Sequence, residues 1–188
     1  MAKLLTEADF TRAAQELDCE VACIKAVAKV ESSKSGFLST GEPVILFEAH
    51  HFSRLTKRAY DKSHPKISSS KWNRSLYEGG INEHHRLGEA VKLNRDAALQ
   101  SASWGKFQIM GFNHLACGFD SIQTFINAMY ESEGKQLDAF VGFIQSQGLA
   151  KALKDKQWAK FARGYNGASY AKNKYDTKLA QAYESYSA

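Results

Sequence analysis

Glu31 is a carboxylate placed where side chains normally pack. Residues 21–31 have helical spacing at about 100° of turn per residue. Val21, Ile24, Val27 and Ala28 fall on one side of that helix, and Lys25 and Lys29 on the other. Glu31 continues the apolar side, one turn beyond Val27 and Ala28. Burial disfavours a charged carboxylate and raises its pKa, and an acid still protonated near neutral pH can donate a proton to a leaving group. The bland alternative is a helix-end Glu that swings into solvent, and for one isolated Glu that is the commoner outcome.

Other residues join it. Glu48 follows the apolar run Val44 to Phe47 directly and is a second candidate for a half-buried acid, or else an N-terminal helix residue favoured by the helix dipole. Gln108 is a single amide among apolar neighbours in the stretch Ser103-Trp104-Gly105-Lys106-Phe107-Gln108-Ile109-Met110. A buried Gln there must find partners, and Gly105 would let backbone approach a ligand closely. Tyr165 and Asn166 stand between Gly164 and Gly167 in what reads as a turn. Trp72 and Tyr77, in a polar segment, could stack on sugar rings or pin the loop to the core, with neither reading favoured. Trp104 is expected to be core more than sugar platform. Glu83-His84-His85 lacks the His-Glu-x-x-His spacing that sets two ligands on one helix face, so solvated surface is expected and no metal site.

The elements that must hold these residues are mainly helical. Thr6 with Asp9 marks a first helix carrying Phe10, Ala13, Ala14 and Leu17. Asp18 is the expected N-cap of the Glu31 helix. Val44 to Phe47 reads as an extended segment feeding a short helix around Phe52 and Leu55. Tyr60 to Gly80 reads as a long polar loop, of a length that is often functional. Helical spacing returns from Asn82 to Leu99. From Ser121 onward the chain reads as helices, one of them running through Leu149, Leu153, Trp158 and Phe161, and the last from about Ser169 towards Tyr186. The expected architecture is a mainly α single domain with a small extended element and a cleft-lining loop.

Composition narrows the setting. The 188 residues are 44% hydrophobic and 24% charged, with two prolines, which is ordinary for a folded globular chain. No apolar run is long enough to cross a bilayer, and the N-terminus lacks the apolar segment of a secretory signal. The net charge of +5 and pI of about 9.0 favour anionic surfaces in general. Cys19, Cys23 and Cys117 are an odd set and are expected to be reduced packing residues.

Three ordered pieces, Glu31-Ser32, then Gly105-x-x-Gln108-Ile109-Met110, then Tyr165-Asn166 among glycines, resemble the signature shared by goose-type lysozymes and lytic transglycosylases. Over nearly the whole chain, the stretches around Val27 to Ser33, Gly36 to Leu38, Ile45 to His50 and Ser103 to Asn113 resemble the N-acetylmuramidase family of phage endolysins. Lys34 departs from it, standing where a small residue is expected. The resemblance implies a mainly α, lysozyme-like single domain over 1–188 with a small extended element and a substrate cleft, no room for a separate wall-binding domain, and cleavage of peptidoglycan between N-acetylmuramic acid and N-acetylglucosamine. Glu31 would be the general acid and Glu48 the second carboxylate, with Ser103, Gly105, Gln108, Tyr165 and Asn166 binding substrate and no cofactor. A lytic transglycosylase would need no second carboxylate, and a non-enzymatic basic wall-binding module is the third reading. The expected setting is a monomer made in the host cytoplasm that reaches the periplasmic wall once the membrane is permeabilised. No nucleic-acid partner or stable membrane insertion is expected.

Overall fold

The computed structural model describes residues 3–31 and 35–188. Helix α1 (Glu7–Glu16) begins as the sequence predicts. Thr6 accepts from the Asp9 amide, and Asp9 returns a bond to the Thr6 amide, a reciprocal cap. Helix α2 (Val21–Glu31) is buried on more sides than one stripe implies, because Ala22, Cys23, Ile24, Ala26, Val27 and Ala28 are all enclosed. Lys25 still reaches out, pairing with Glu7 at 2.7 Å. Asp18 is not its N-cap. It lies in the preceding turn with φ +49°, and its carboxylate pairs with Lys154.

Strand β1 (Ile45–Phe47) feeds helix α3 (Ala49–Leu55), as the apolar run suggests. The 82–99 region is two helices rather than one: α4 (Ile81–Leu93) and α5 (Arg95–Gln100). Asn94 breaks them and caps α5 by accepting from the Ala97 amide at 3.0 Å. Strands β2 (Ala102–Trp104) and β3 (Ile109–Met110) complete an antiparallel sheet of order β1-β2-β3, with Leu46 opposite Ser103 and Ser103 opposite Met110.

Helices α6 (Ile122–Glu131) and α7 (Glu133–Ser146) follow. The segment expected as one helix around Leu153 and Trp158 is split into α8 (Ala150–Lys154) and α9 (Trp158–Asn166), with Lys156 at φ +55° in the break. The last helix, α10 (Tyr175–Ser187), starts later than the sequence suggests, because residues 168–173 form a 3-10 turn first. Helix α10 packs along α2 and against α9. Ile24, Val27, Leu137, Phe140, Ile144, Phe161 and Leu179 share one core with Phe47 and Trp104 from the sheet. Among the described residues no helix is long and apolar enough to cross a membrane. Cys23 and Cys117 are buried and Cys19 half-buried, all as free thiols.

Candidate active site

Glu31 ends α2 half-buried. Its Oε1 accepts a hydrogen bond from Asn166 Nδ2 at 3.1 Å. Burial raises its pKa above the ordinary glutamate value, and the Asn166 bond pulls partly the other way. Asn166 is the last residue of α9, so the Tyr165-Asn166 pair stands on a helix end and not in the turn that its glycines suggest. The turn begins at Gly167, with φ +80°. Asn166 Oδ1 is buried and has no hydrogen-bond partner among the described residues.

Tyr165 ties this end to the sheet. Its ring lies among Phe140, Phe143 and Phe161, and its hydroxyl donates to the Phe107 carbonyl at 3.0 Å. Burial, then the charge of Glu31, pushes the phenol well above its usual pKa, so it stays a neutral donor. Tyr175, opening α10, is raised by the same two causes and so also faces Glu31. By sequence, Tyr175 is only one residue of the last predicted helix.

Phe107 lies next to Gln108 in the β2–β3 hairpin. Gln108 is exposed, not buried as expected, because φ +49° turns it out of the hairpin while its neighbours Phe107 and Ile109 pack inward. It still has partners: Oε1 accepts from Ser103 Oγ at 2.8 Å, and Nε2 donates to the Gly105 carbonyl at 2.8 Å. Gly105 is also required for a reason that the sequence does not show. At φ +70°, a Cβ there would meet the Gln136 side chain at 2.5 Å. Gln136 is buried, accepts from the Lys106 amide and donates to the Met129 carbonyl. Nothing local in the sequence marked it, since its partners lie 30 and 7 residues away.

The three motif pieces are thus linked through contacts: Glu31 to Asn166, Tyr165 to Phe107, and Gln108 to Ser103 and Gly105. Ser32 and Lys34 lie outside the described residues.

Glu48 belongs to another group. It occupies the N-cap position of α3 but makes no side-chain capping bond. Its Oε2 accepts from the Tyr77 hydroxyl at 2.6 Å and lies 3.3 Å from His50 Nδ1. Its side chain is 16% exposed. Val44, whose carbonyl accepts from the Gly105 amide, stands at one end of β1 and Glu48 at the other, about 13 Å apart at the rise of an extended chain.

Of two further expectations, the first holds and the second changes. Trp104 is core, 1% exposed, with its Nε1 donating to the Leu99 carbonyl. Glu83 is not solvated surface but completely buried, while His85 stays exposed and His84 bonds the Pro43 carbonyl. A helical Glu before two histidines reads as polar surface, and only long-range partners reveal otherwise. A cavity of about 680 Å³ lined by Leu4, Phe10, Lys25 and Tyr186 reaches Lys106 of the hairpin but, among the described residues, none of the candidate site residues.

A half-buried carboxyl held by an amide at a helix end, with Tyr165 tying that end to the hairpin that carries Gln108, suits a lysozyme-like glycosidase. The family model described as N-acetylmuramidase matches residues 20–187. The chain belongs to that family of peptidoglycan-cleaving enzymes. It is similar to the crystal structure of Burkholderia AP3 phage endolysin, with a TM-score of 0.93 and 42% identity, over 98% of this chain and 72% of that one. It is also 28% identical over 114 residues to the endolysin of Enterobacteria phage PRD1, which is 57% of this chain and 75% of that protein.

Proposed function

We propose that this enzyme is an endolysin in which Glu31 protonates the glycosidic oxygen between N-acetylmuramic acid and N-acetylglucosamine. The observation that carries the reading is the burial of Glu31 beside Asn166, which favours its protonated form. As the leaving oxygen takes that proton, positive charge develops at the anomeric carbon. Asn166 orients the acid through Nδ2 and is the candidate to bind the N-acetyl group of the sugar. Gln108, Ser103 and the Gly105 backbone hold the sugar chain from the hairpin side. Glu48 is the candidate for the second carboxylate, activating water or bonding the anomeric carbon.

A second reading has its own support. Among the described residues, the hydrogen-bond partners of Glu48 are disjoint from those of Glu31. A lytic transglycosylase needs no second carboxylate, because the muramic acid hydroxyl closes on the anomeric carbon. Mass spectrometry of muropeptides released from purified peptidoglycan separates the two. Reducing muramic acid ends are expected. Anhydro ends, lighter by one water, would overturn the hydrolase mechanism and leave Glu31 as sole acid. Glu31→Gln should cost roughly 10²- to 10⁴-fold in rate, and a fully active Glu31→Gln would sink the acid assignment. Glu48→Gln keeps an acceptor for Tyr77, so its loss of rate would report chemistry and not lost support. The domain works as a monomer and meets its substrate in the periplasm after the inner membrane is breached.

A further inference from the structure

Trp72 is the bulkiest hydrophobic side chain that the described residues leave in solvent, at 61% exposure. It is nonetheless fixed. Its Nε1 donates to the Tyr77 hydroxyl at 2.8 Å, and that hydroxyl donates to Glu48 Oε2 at 2.6 Å. The two rings meet at 70° with centroids 6.5 Å apart. The polar edge of the indole is satisfied against the protein while the ring itself stays wet. A tryptophan that only pinned the loop would bury its ring, which is where its stabilising area lies. Tyr77 does the pinning: burial and its bond to Glu48 push its hydroxyl pKa up to about 12.

The loop that presents Trp72 is braced on both sides by one buried ion pair on α4. Glu83 Oε1 accepts from the Glu78 and Gly79 amides at 2.8 and 3.1 Å, and its Oε2 accepts from the Phe47 amide at 3.0 Å. Arg86 bonds Glu83 Oε2 at 2.8 Å, the Phe47 carbonyl at 3.1 Å and the Lys66 carbonyl at 3.3 Å. Every bond ties a flank of the 66–79 segment or the end of β1 from which Glu48 emerges. A buried ion pair is weak evidence for stability, and what the hydrogen bonds on both partners set is geometry. What they fix here is the position of an exposed aromatic relative to a half-buried carboxylate.

We propose that Trp72 is a glycan-binding platform, an aromatic face on which a sugar ring of the peptidoglycan strand stacks, held in register with Glu48 by Tyr77. The assignment rests on the glycan strand being the substrate. An aromatic ring offers the apolar face of a pyranose a large contact, and prior fixing removes the entropy cost of ordering it.

The test uses Glu31→Gln as parent, so that bound glycan is not cleaved. Chitotetraose and peptide-free peptidoglycan strands are titrated while tryptophan emission and binding heat are followed. Trp104 is buried and Trp158 half-buried, so the solvent-exposed emission belongs to Trp72. Binding is expected to quench and blue-shift that emission. Trp72→Ala should weaken binding about threefold to tenfold, and Trp72→Phe should recover most of the affinity without the spectral signal. Tyr77→Phe keeps its ring but lets Trp72 and Glu48 go, and should fall between parent and Trp72→Ala. In the active enzyme, Trp72→Ala should raise KM and spare kcat. Unchanged affinity in Trp72→Ala overturns the proposal, as does a lowered melting temperature with affinity intact, which would make Trp72 a loop pin only. If the unmutated enzyme fails to cleave peptidoglycan yet Trp72 still reports glycan binding, the catalytic reading falls and the platform stands.

Discussion

At the scale of single residues, a raised pKa at Glu31 is a statement about stability as well as chemistry. A carboxyl whose folded pKa exceeds its unfolded value holds its proton more tightly in the native state, so raising the pH past the ordinary value of 4.5 destabilises the fold. The loss is complete only above the raised native pKa. Glu31→Gln removes this ionisation while its amide oxygen can still accept from Asn166. The variant should therefore melt higher than the parent at neutral pH, with the gap closing as pH falls through the raised native pKa towards 4.5. Melting curves across pH 3 to 8 measure it, and a gap independent of pH would mean that Glu31 is not held protonated by burial. Glu31 was legible in the sequence because one carboxylate broke a helical stripe. The partner that matters, Asn166, comes from a helix 135 residues on, and only the resemblance, not periodicity, pointed there. Gln108 was found for the wrong reason: the sequence context implied burial, whereas a left-handed φ turns it outward.

At the scale of elements, the β2–β3 hairpin depends on Gln136 of α7 as much as on its own ladder. Gln136 bonds the Lys106 amide, and Gly105 and Gly36 both leave room for its side chain. Gly105→Ala adds a left-handed alanine and a Cβ at 2.5 Å from Gln136 Cδ. The expected loss is about 2 to 4 kcal/mol, read as a lower urea midpoint at constant m. Gly118→Ala is the control. Its φ is +85°, but no atom lies within 4 Å of the added Cβ, so it carries the backbone strain alone. Equal losses would mean that the Gln136 contact is soft. Peptidoglycan cleavage should fall with Gly105→Ala only, since that hairpin presents Gln108. Helix existence was readable throughout from spacing and capping, as at Thr6 and Asp9. Helix breaks were not, because Asn94 and Lys156 look like ordinary helical surface until the cap bond or the left-handed φ is seen. The buried Glu83–Arg86 pair was missed for the same reason that Gln136 was: its bonds run to backbone tens of residues away.

At the scale of the whole molecule, the positive charge is not spread as composition alone suggests. Residues 151–188 hold eight Lys and Arg against three Asp and Glu, a net of +5 that equals the charge of the entire chain, while residues 1–150 balance at seventeen of each. Lys151, Lys154 and Lys156 pair with Asp155, Asp18 and Glu20. Lys160, Arg163, Lys172, Lys174 and Lys178 are exposed and make no ion pair among the described residues. They flank the segment that delivers Tyr165, Asn166 and Tyr175 to Glu31, so the net positive charge is carried by the part of the chain that forms α9 and α10. Peptidoglycan carries stem carboxylates, and the field of that charge raises the rate of productive encounter. Screening shortens from about 30 Å at 0.01 M salt to about 8 Å at 0.15 M, so cleavage at low substrate should slow across that range while the saturated rate holds. The double variant Lys172→Glu and Lys174→Glu should lower the low-salt rate severalfold and flatten its salt dependence. Lys57→Glu with Lys62→Glu makes the same change in net charge from the other part of the chain, and should leave the salt dependence close to that of the parent. If both pairs flatten it equally, the protein is steered by its total charge and the placement around the site carries no advantage.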